Sequence, residues 1–185
     1  GWRRAGAELS LSSPLEDEAP GPTAAEVYLP GGYPELHAAR LAAAARFLTG
    51  LRAAAAGGTL VYGECGGYMV LGQGLEDAEG QRHAMAGLLP LESSFRRPQR
   101  HLGYRRAEIR AASPLGAAGA TFRGHEFHYA RVIGQEGPAG SALFRVQDAA
   151  GGQRNLVGQR QGRVMGSFLH LIDREEPICG AAGQF

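Results

Sequence analysis

Thr59-Leu-Val-Tyr-Gly63-Glu-Cys65-Gly-Gly67-Tyr-Met-Val-Leu71 is a short β-branched and aromatic run, then a glycine-framed cysteine, then an apolar run able to wind into a helix. A nucleophile between a strand and a helix, with glycine two residues before and two after, is the elbow pattern. Such a turn is sharp and strains the backbone of the nucleophile, and side chains at either flank would collide with the neighbouring strand or helix. The N–H groups and positive dipole end of the following helix favour a thiolate over a thiol at Cys65. The pattern is usually quoted for serine. The competing reading of the same residues is a buried structural cysteine beside a glycine turn.

Working outward, Glu26-Val-Tyr-Leu29 reads as a strand closed by Pro30. Gly31-Gly32-Tyr33-Pro34-Glu35 then forms a glycine turn with proline at the first helical position, where it is best tolerated. An alanine-rich helix is predicted from about Glu35 to Ala56, with leucines and Phe47 on one side and Gly57-Gly58 as its stop. Strand Thr59 to Gly63, the elbow and a helix over Tyr68 to Leu71 follow. Strand, helix, strand, helix with glycine loops at the strand C-terminal ends is a parallel α/β arrangement, whose ligands bind outside the carboxyl ends of the strands. Gly31, Gly32 and Cys65 would then share one sheet edge.

From His83 the pattern turns to β, with strand-like stretches at 83–95, 104–109, 121–132, 143–148, 155–160 and 164–169, separated by Gly/Ala/Pro turns. Before the first strand, residues 2–11 read as the end of a helix and a strand from Ala7 to Leu11, then the acidic loop Glu16-Asp-Glu18. An opening in mid-element without methionine is expected of a piece of something longer. The tail 180–185 is expected to be loosely ordered.

Composition narrows the chemistry. The 185 residues are 44% hydrophobic and 20% charged, as in a globular chain, and a net charge of +1 gives no field to gather nucleic acid or anionic membrane. All 19 basic residues are arginine. Without lysine there is no Schiff base, no pyridoxal phosphate anchor and no lysine-bearing phosphate loop. No apolar run approaches a membrane span and no signal peptide opens the chain, so a cytoplasmic, reduced setting is expected. Cys65 and Cys179 do not form a disulfide framework by their spacing, and nothing near Cys179 would activate it.

A cysteine nucleophile needs a histidine base. His37 lies in the alanine helix, and His83 and His101 border turns. His170, at the end of the apolar strand Val164-Met-Gly-Ser-Phe-Leu169, is the best placed, against a satisfied rim histidine as the bland reading. In Arg123-Gly-His-Glu-Phe-His-Tyr129, strand spacing puts His125 and Phe127 on one face and Glu126 and His128 on the other. That makes a weak zinc site with no obvious third ligand, and no metal is expected. The run Phe95-Arg-Arg-Pro-Gln-Arg-His101 could grip a carboxylate or phosphate, or could be a solvated loop. An oxyanion hole would take one N–H from Gly66 and a second from Gly31 or Gly32.

Leu29-Pro-Gly-Gly-Tyr-Pro-Glu35, Tyr62-Gly-Glu-Cys-Gly-Gly-Tyr-Met69, Arg123-Gly-His-Glu-Phe-His-Tyr129 and Gly166-Ser-Phe-Leu-His170 together resemble the class I glutamine amidotransferase domain of cobyrinate (or hydrogenobyrinate) a,c-diamide synthases. The resemblance implies a flavodoxin-like α/β fold over residues 1–185, a mixed and mostly parallel sheet flanked by helices, with a β-rich C-terminal half and with its first strand lacking. It implies a glutaminase using Cys65 as nucleophile and His170 as base, with Gly31, Gly32 and Gly66 at the oxyanion and Glu126, His128 and Tyr33 in support. Ammonia would pass to a synthetase domain that uses ATP and Mg to activate a corrinoid's a and c carboxylates, in cobalamin biosynthesis. This domain would itself need no cofactor, and a homodimer is left open. Most class I domains carry glutamate two residues after the histidine. Here that position is Ile172, which fits the Cys–His pair that the resemblance implies for the corrinoid branch; Asp173 and Glu126 are candidate orienting carboxylates that the sequence does not choose between, and Met69 stands where glutamine is common. Two other readings compete: a flavodoxin-like cysteine peptidase or DJ-type hydrolase, and a silent fragment that needs its synthetase partner.

Overall fold

The computed structural model describes residues 2–134, 141–152 and 154–175. Cys179 and the tail lie outside them. Strands β1 (Glu26–Leu29) and β2 (Leu60–Glu64) run parallel, joined through helices α1 (Ala38–Ala43) and α2 (Ala45–Ala56). Helix α3 (Gly66–Leu71) follows β2 directly. Three short strands come next: β3 (Gly74–Glu76), β4 (Arg82–Ala84) and β5 (Glu92–Ser94). The β-rich half supplies β6 (His101–Ile109), β7 (Thr121–His128), β8 (Arg131–Gly134), β9 (Phe144–Asp148), β10 (Arg154–Val157), β11 (Gln159–Gln161), β12 (Val164–Ser167) and β13 (Leu169–Arg174).

Three sheets result, in the orders β1-β2-β12-β11, β10-β9-β6-β7-β13 and β4-β3-β5-β8. In the first, β12 returns from the far end of the sequence to lie parallel beside β2, in the register Gly166–Gly63 and Ser167–Glu64. Alternation sorts the side chains of this sheet onto two faces. Val61 and Val164 join one core with Phe47, Leu48 and Leu51 of α2 and Tyr68 to Leu71 of α3. Leu60, Tyr62 and Met165 join a second core with Ala107, Ile109, Phe144 and Val146 of the antiparallel sheet. Helices therefore cover one face and the β-rich half covers the other, which is why β2 and β12 are buried throughout most of their length. Full burial of side chains such as Phe47 and Leu51 stabilises the fold by roughly 2–3 kcal/mol each.

Four sequence expectations change. The helix predicted from Glu35 is a 3₁₀ turn over Pro34–His37, then α1, a break at Ala44 and α2. A remote residue explains the break: Asp17 Oδ1 accepts the Phe47 N–H at 2.8 Å and caps the first turn of α2. The stop is as predicted, with Gly58 at φ +83 and a Schellman pair from Gly58 N–H to Ala55 O and from Thr59 N–H to Ala54 O. Residues 7–13 form no strand. Trp2–Ala5 is a 3₁₀ turn, and Leu11 stands 92% exposed with no strand to pair against among the described residues. The stretch 83–95 is interrupted around Gly87, whose φ is +67, and Pro90, leaving only the short β4 and β5. β3, which carries a glycine at its first position, was not anticipated.

Candidate active site

Cys65 stands between β2 and α3 with φ +51 and ψ −104, a conformation costing a non-glycine residue about 1–3 kcal/mol. Surrounding contacts fix it there. Its N–H donates to Ser167 O at 2.8 Å, its carbonyl accepts from Met69 N–H at 3.2 Å, and its thiol donates to Phe127 O at 3.6 Å. Close approach accounts for the glycines on both flanks. A Cβ on Gly63 would sit 2.7 Å from Leu71 Cδ1 and 2.8 Å from Gly67 C, and one on Gly67 would sit 2.6 Å from Leu29 C and Cβ.

The structure brings the predicted residues together. A Cβ on Gly31 would lie 2.7 Å from His170 Cε1 and 3.6 Å from Cys65 Cβ, so the Gly31 position adjoins both predicted residues and glycine leaves room for the His170 ring. A Cβ on Gly66 would lie 2.8 Å from Gly32 N, which sets the backbones of the two predicted oxyanion residues against each other. The Gly66 N–H faces the Cys65 sulfur. Tyr33, on the same loop, is 67% exposed at its rim.

His170, partly exposed on β13, stacks on His125 with ring centroids 4.6 Å apart and planes 6° from parallel. Its Nδ1 lies 3.1 Å from Glu64 Oε1, while Leu171 N–H donates to Glu64 Oε2 at 3.3 Å. Tyr28 O–H donates to Glu64 Oε1 at 3.0 Å. Sequence reasoning did not single out Glu64, the residue just before Cys65. Neither expected alternative touches His170: Asp173 is exposed and in register with Arg123, and Glu126 is engaged elsewhere.

Glu126 joins a second cluster. It lies 3.0 Å from His128 Nε2 and 3.0 Å from Arg105, and His128 Nδ1 is 3.0 Å from Ala130 O. His101, Glu126 and His128 bring ligand atoms within 4.8 Å of one another, beside a cavity of about 220 Å³. The two rings stack 4.5 Å apart with planes 9° from parallel, and a shared ion would have to lie in both planes. Arg105 already places a positive charge on the carboxylate. These residues form a hydrogen-bonded polar cluster, with Glu126 held below the usual carboxylate range first by its bond to His128. A larger cavity of about 480 Å³ runs along the outer side of β1 and reaches Gly31, Gly32 and Gly66.

Burial pushes the Cys65 thiol up to about 11. The Gly66 N–H pulls the other way, and the carboxylates of Glu64, Glu35 and Glu126 add to the rise. Burial and three carboxylates thus work against the thiolate expected from the start of a six-residue helix. The bond to Phe127 O likewise exists only for the protonated sulfur. Iodoacetamide alkylation at Cys65, followed by peptide mapping, should therefore be slow at neutral pH and accelerate about tenfold per pH unit up to at least pH 9. A rate already flat from pH 7 would reveal a resting thiolate.

The β2–elbow–α3 unit and the mixed sheet define an α/β protein of the glutamine amidotransferase fold. A crystal structure of a glutamine amidotransferase superposes with a TM-score of 0.58 at 20% identity, covering 91% of this chain and 80% of that one. The sequence matches the CobB/CobQ-like glutamine amidotransferase domain over residues 3–177, and the chain belongs to that family. Among its relatives are hydrogenobyrinate a,c-diamide synthases. That of Brucella abortus is 57% identical over 175 residues, covering 94% of this chain and 38% of the relative. That of Sinorhizobium is 53% identical over 186 residues, covering 98% and 40%. That of Rhodobacter capsulatus is 54% identical over 171 residues, covering 92% and 38%. The chain thus spans about two fifths of the length of these relatives. No helix among the described residues is long and apolar enough to cross a membrane.

Proposed function

We propose that this chain is the glutaminase part of a cytoplasmic enzyme that amidates the a and c carboxylates of a corrinoid. Cys65 is the nucleophile, His170 the base, and Gly32 and Gly66 the oxyanion donors. The observation that carries the reading is the strained Cys65 at the elbow, with His170 across Gly31 and the Gly32–Gly66 pair beside it. The corrinoid comes from the relatives' names, and the ATP- and Mg-using synthetase domain is assigned to the remaining three fifths of their length.

The chemistry follows from the geometry. His170 takes the thiol proton as sulfur attacks the side-chain amide carbon of glutamine. The oxyanion that forms lies against the Gly32 and Gly66 N–H groups. Collapse breaks the C–N bond, and His170 returns the proton to the departing nitrogen, releasing ammonia and leaving a γ-glutamyl thioester. Water, deprotonated by His170, then attacks the thioester to release glutamate and restore the thiol.

Incubation with the diazo-ketone analogue of glutamine, read by mass spectrometry, tests this. One adduct at Cys65, suppressed by glutamine, is expected. Equal labelling of Cys179, or labelling that glutamine does not suppress, would sink the assignment.

A further inference from the structure

We propose that Glu64 is the carboxylate that positions His170, reached across the parallel β2–β12 pair instead of along the chain from the histidine. The inference rests on the reading that Cys65 and His170 hydrolyse glutamine. Both Glu64 oxygens are committed to the same two residues, Oε1 to the His170 ring at 3.1 Å and Oε2 to the Leu171 N–H at 3.3 Å, so the carboxylate fixes ring and backbone together. Tyr28 holds Oε1 from the other side at 3.0 Å. The Glu64 side chain is only 12% exposed, and its place in the register, opposite Ser167 and three residues before His170, is set by the sheet.

The other described carboxylates nearby are spoken for or turned away. Glu126 is bound by Arg105 and His128, Asp173 is exposed, and Ile172, where a glutamate would be reached along the chain, is 63% exposed beside a β-bulge. A carboxylate only accepts, so the Nδ1 of His170 carries the proton and Nε2 keeps the lone pair needed to take the thiol's proton. The Glu64 carboxylate also opposes a lone thiolate at Cys65. The His170 ring meets the Glu64 carboxylate and the stacked His125 ring, Tyr28 acts through Glu64, and the Gly31 position adjoins both the ring and Cys65.

In the complete protein, Glu64→Gln should lower glutamine-dependent kcat on the order of 10²-fold while KM changes less than about threefold. Glu64→Asp, which retains the acceptor, should restore kcat part of the way toward the parent, as a positioning role requires. Nitrogen NMR of the unaltered protein gives a reading that needs no variant to fold: a neutral His170 protonated at Nδ1 is expected, and one protonated at Nε2 overturns the proposal. Parental kcat in Glu64→Gln overturns it too. If Cys65 is labelled by the diazo-ketone but these results fail, only the role of Glu64 falls. If Cys65 is not labelled, the reading of the site falls first.

Discussion

Cys65→Ala is expected to abolish glutamine-dependent amidation in the complete protein, by at least about 10³-fold, and to leave synthesis from added ammonia intact. The size follows from what the sulfur does. On the proposed mechanism it forms the only covalent link to the substrate, and the Gly32–Gly66 pair and His170 serve an attack that alanine cannot make. Removing Sγ also removes the thiol bond to Phe127 O, one weak contact among the several that hold residue 65. The backbone contacts to Ser167 and Met69 remain, so the elbow should persist. Loss of turnover with an unchanged melting temperature would therefore report chemistry and not collapse. The discriminating arm is ammonia, which bypasses the thioester and reaches the activated carboxylate directly. Should the alanine variant use glutamine at the parental rate, Cys65 is not the nucleophile. Should it lose the ammonia-dependent reaction too, the two activities are not divided between domains as proposed.

Much of this site could be read in the sequence because its signals are local. The elbow needs small residues at fixed offsets from Cys65, and the positions of Gly63 and Gly67 show why: each faces a neighbour too close for a Cβ. The β1–β2 parallel pair was legible because two short apolar runs end in glycine turns on either side of a helix. His170 could be found because an apolar run ends just before it, although the chain passes from one sheet to another between Ser167 and Leu169.

What could not be read depends on contacts between distant segments. Nothing near Ala44 in sequence announces a helix break, since the cap is Asp17, held by its own loop at φ +54. Glu64 was overlooked because a residue adjacent to the nucleophile is an unlikely partner for a base more than a hundred residues away. A signal did exist. On β2, Leu60, Tyr62 and Glu64 share one face by alternation, and that face meets the antiparallel sheet on which His170 rides. Using it required knowing that β12 lies beside β2. The groups that oppose a thiolate were hidden for a related reason: the helix start is local, whereas the burial and carboxylates that work against it are assembled by the fold.

Gly67→Ala is expected to be the most damaging small substitution at the elbow, costing roughly 3–5 kcal/mol and lowering the melting temperature on the order of 10 °C. Its φ is not the reason, since Gly67 is not among the residues with positive φ. The reason is that α3 packs its first turn directly on β1. A Cβ there would fall inside the Leu29 carbonyl oxygen and 2.6 Å from the Leu29 carbonyl carbon. Both sides of the clash are backbone. Leu29 is pinned by its pairing with Gly63 on β2, and Gly67 is tied by its own N–H to Pro30 O at 3.1 Å. Neither can retreat without shifting β1 or α3, and both belong to the core built around Phe47 and Leu71. Gly32→Ala gives the contrast, because a Cβ there meets nothing within 4 Å and its φ is ordinary, so the melting temperature should hardly move. Calorimetry of the two variants separates a fold that depends on close approach at the elbow from one that merely tolerates glycine there. Equal melting temperatures for Gly67→Ala and the parent would mean that α3 does not rest on β1 as described, and the placement of the Gly66 N–H would lose its support.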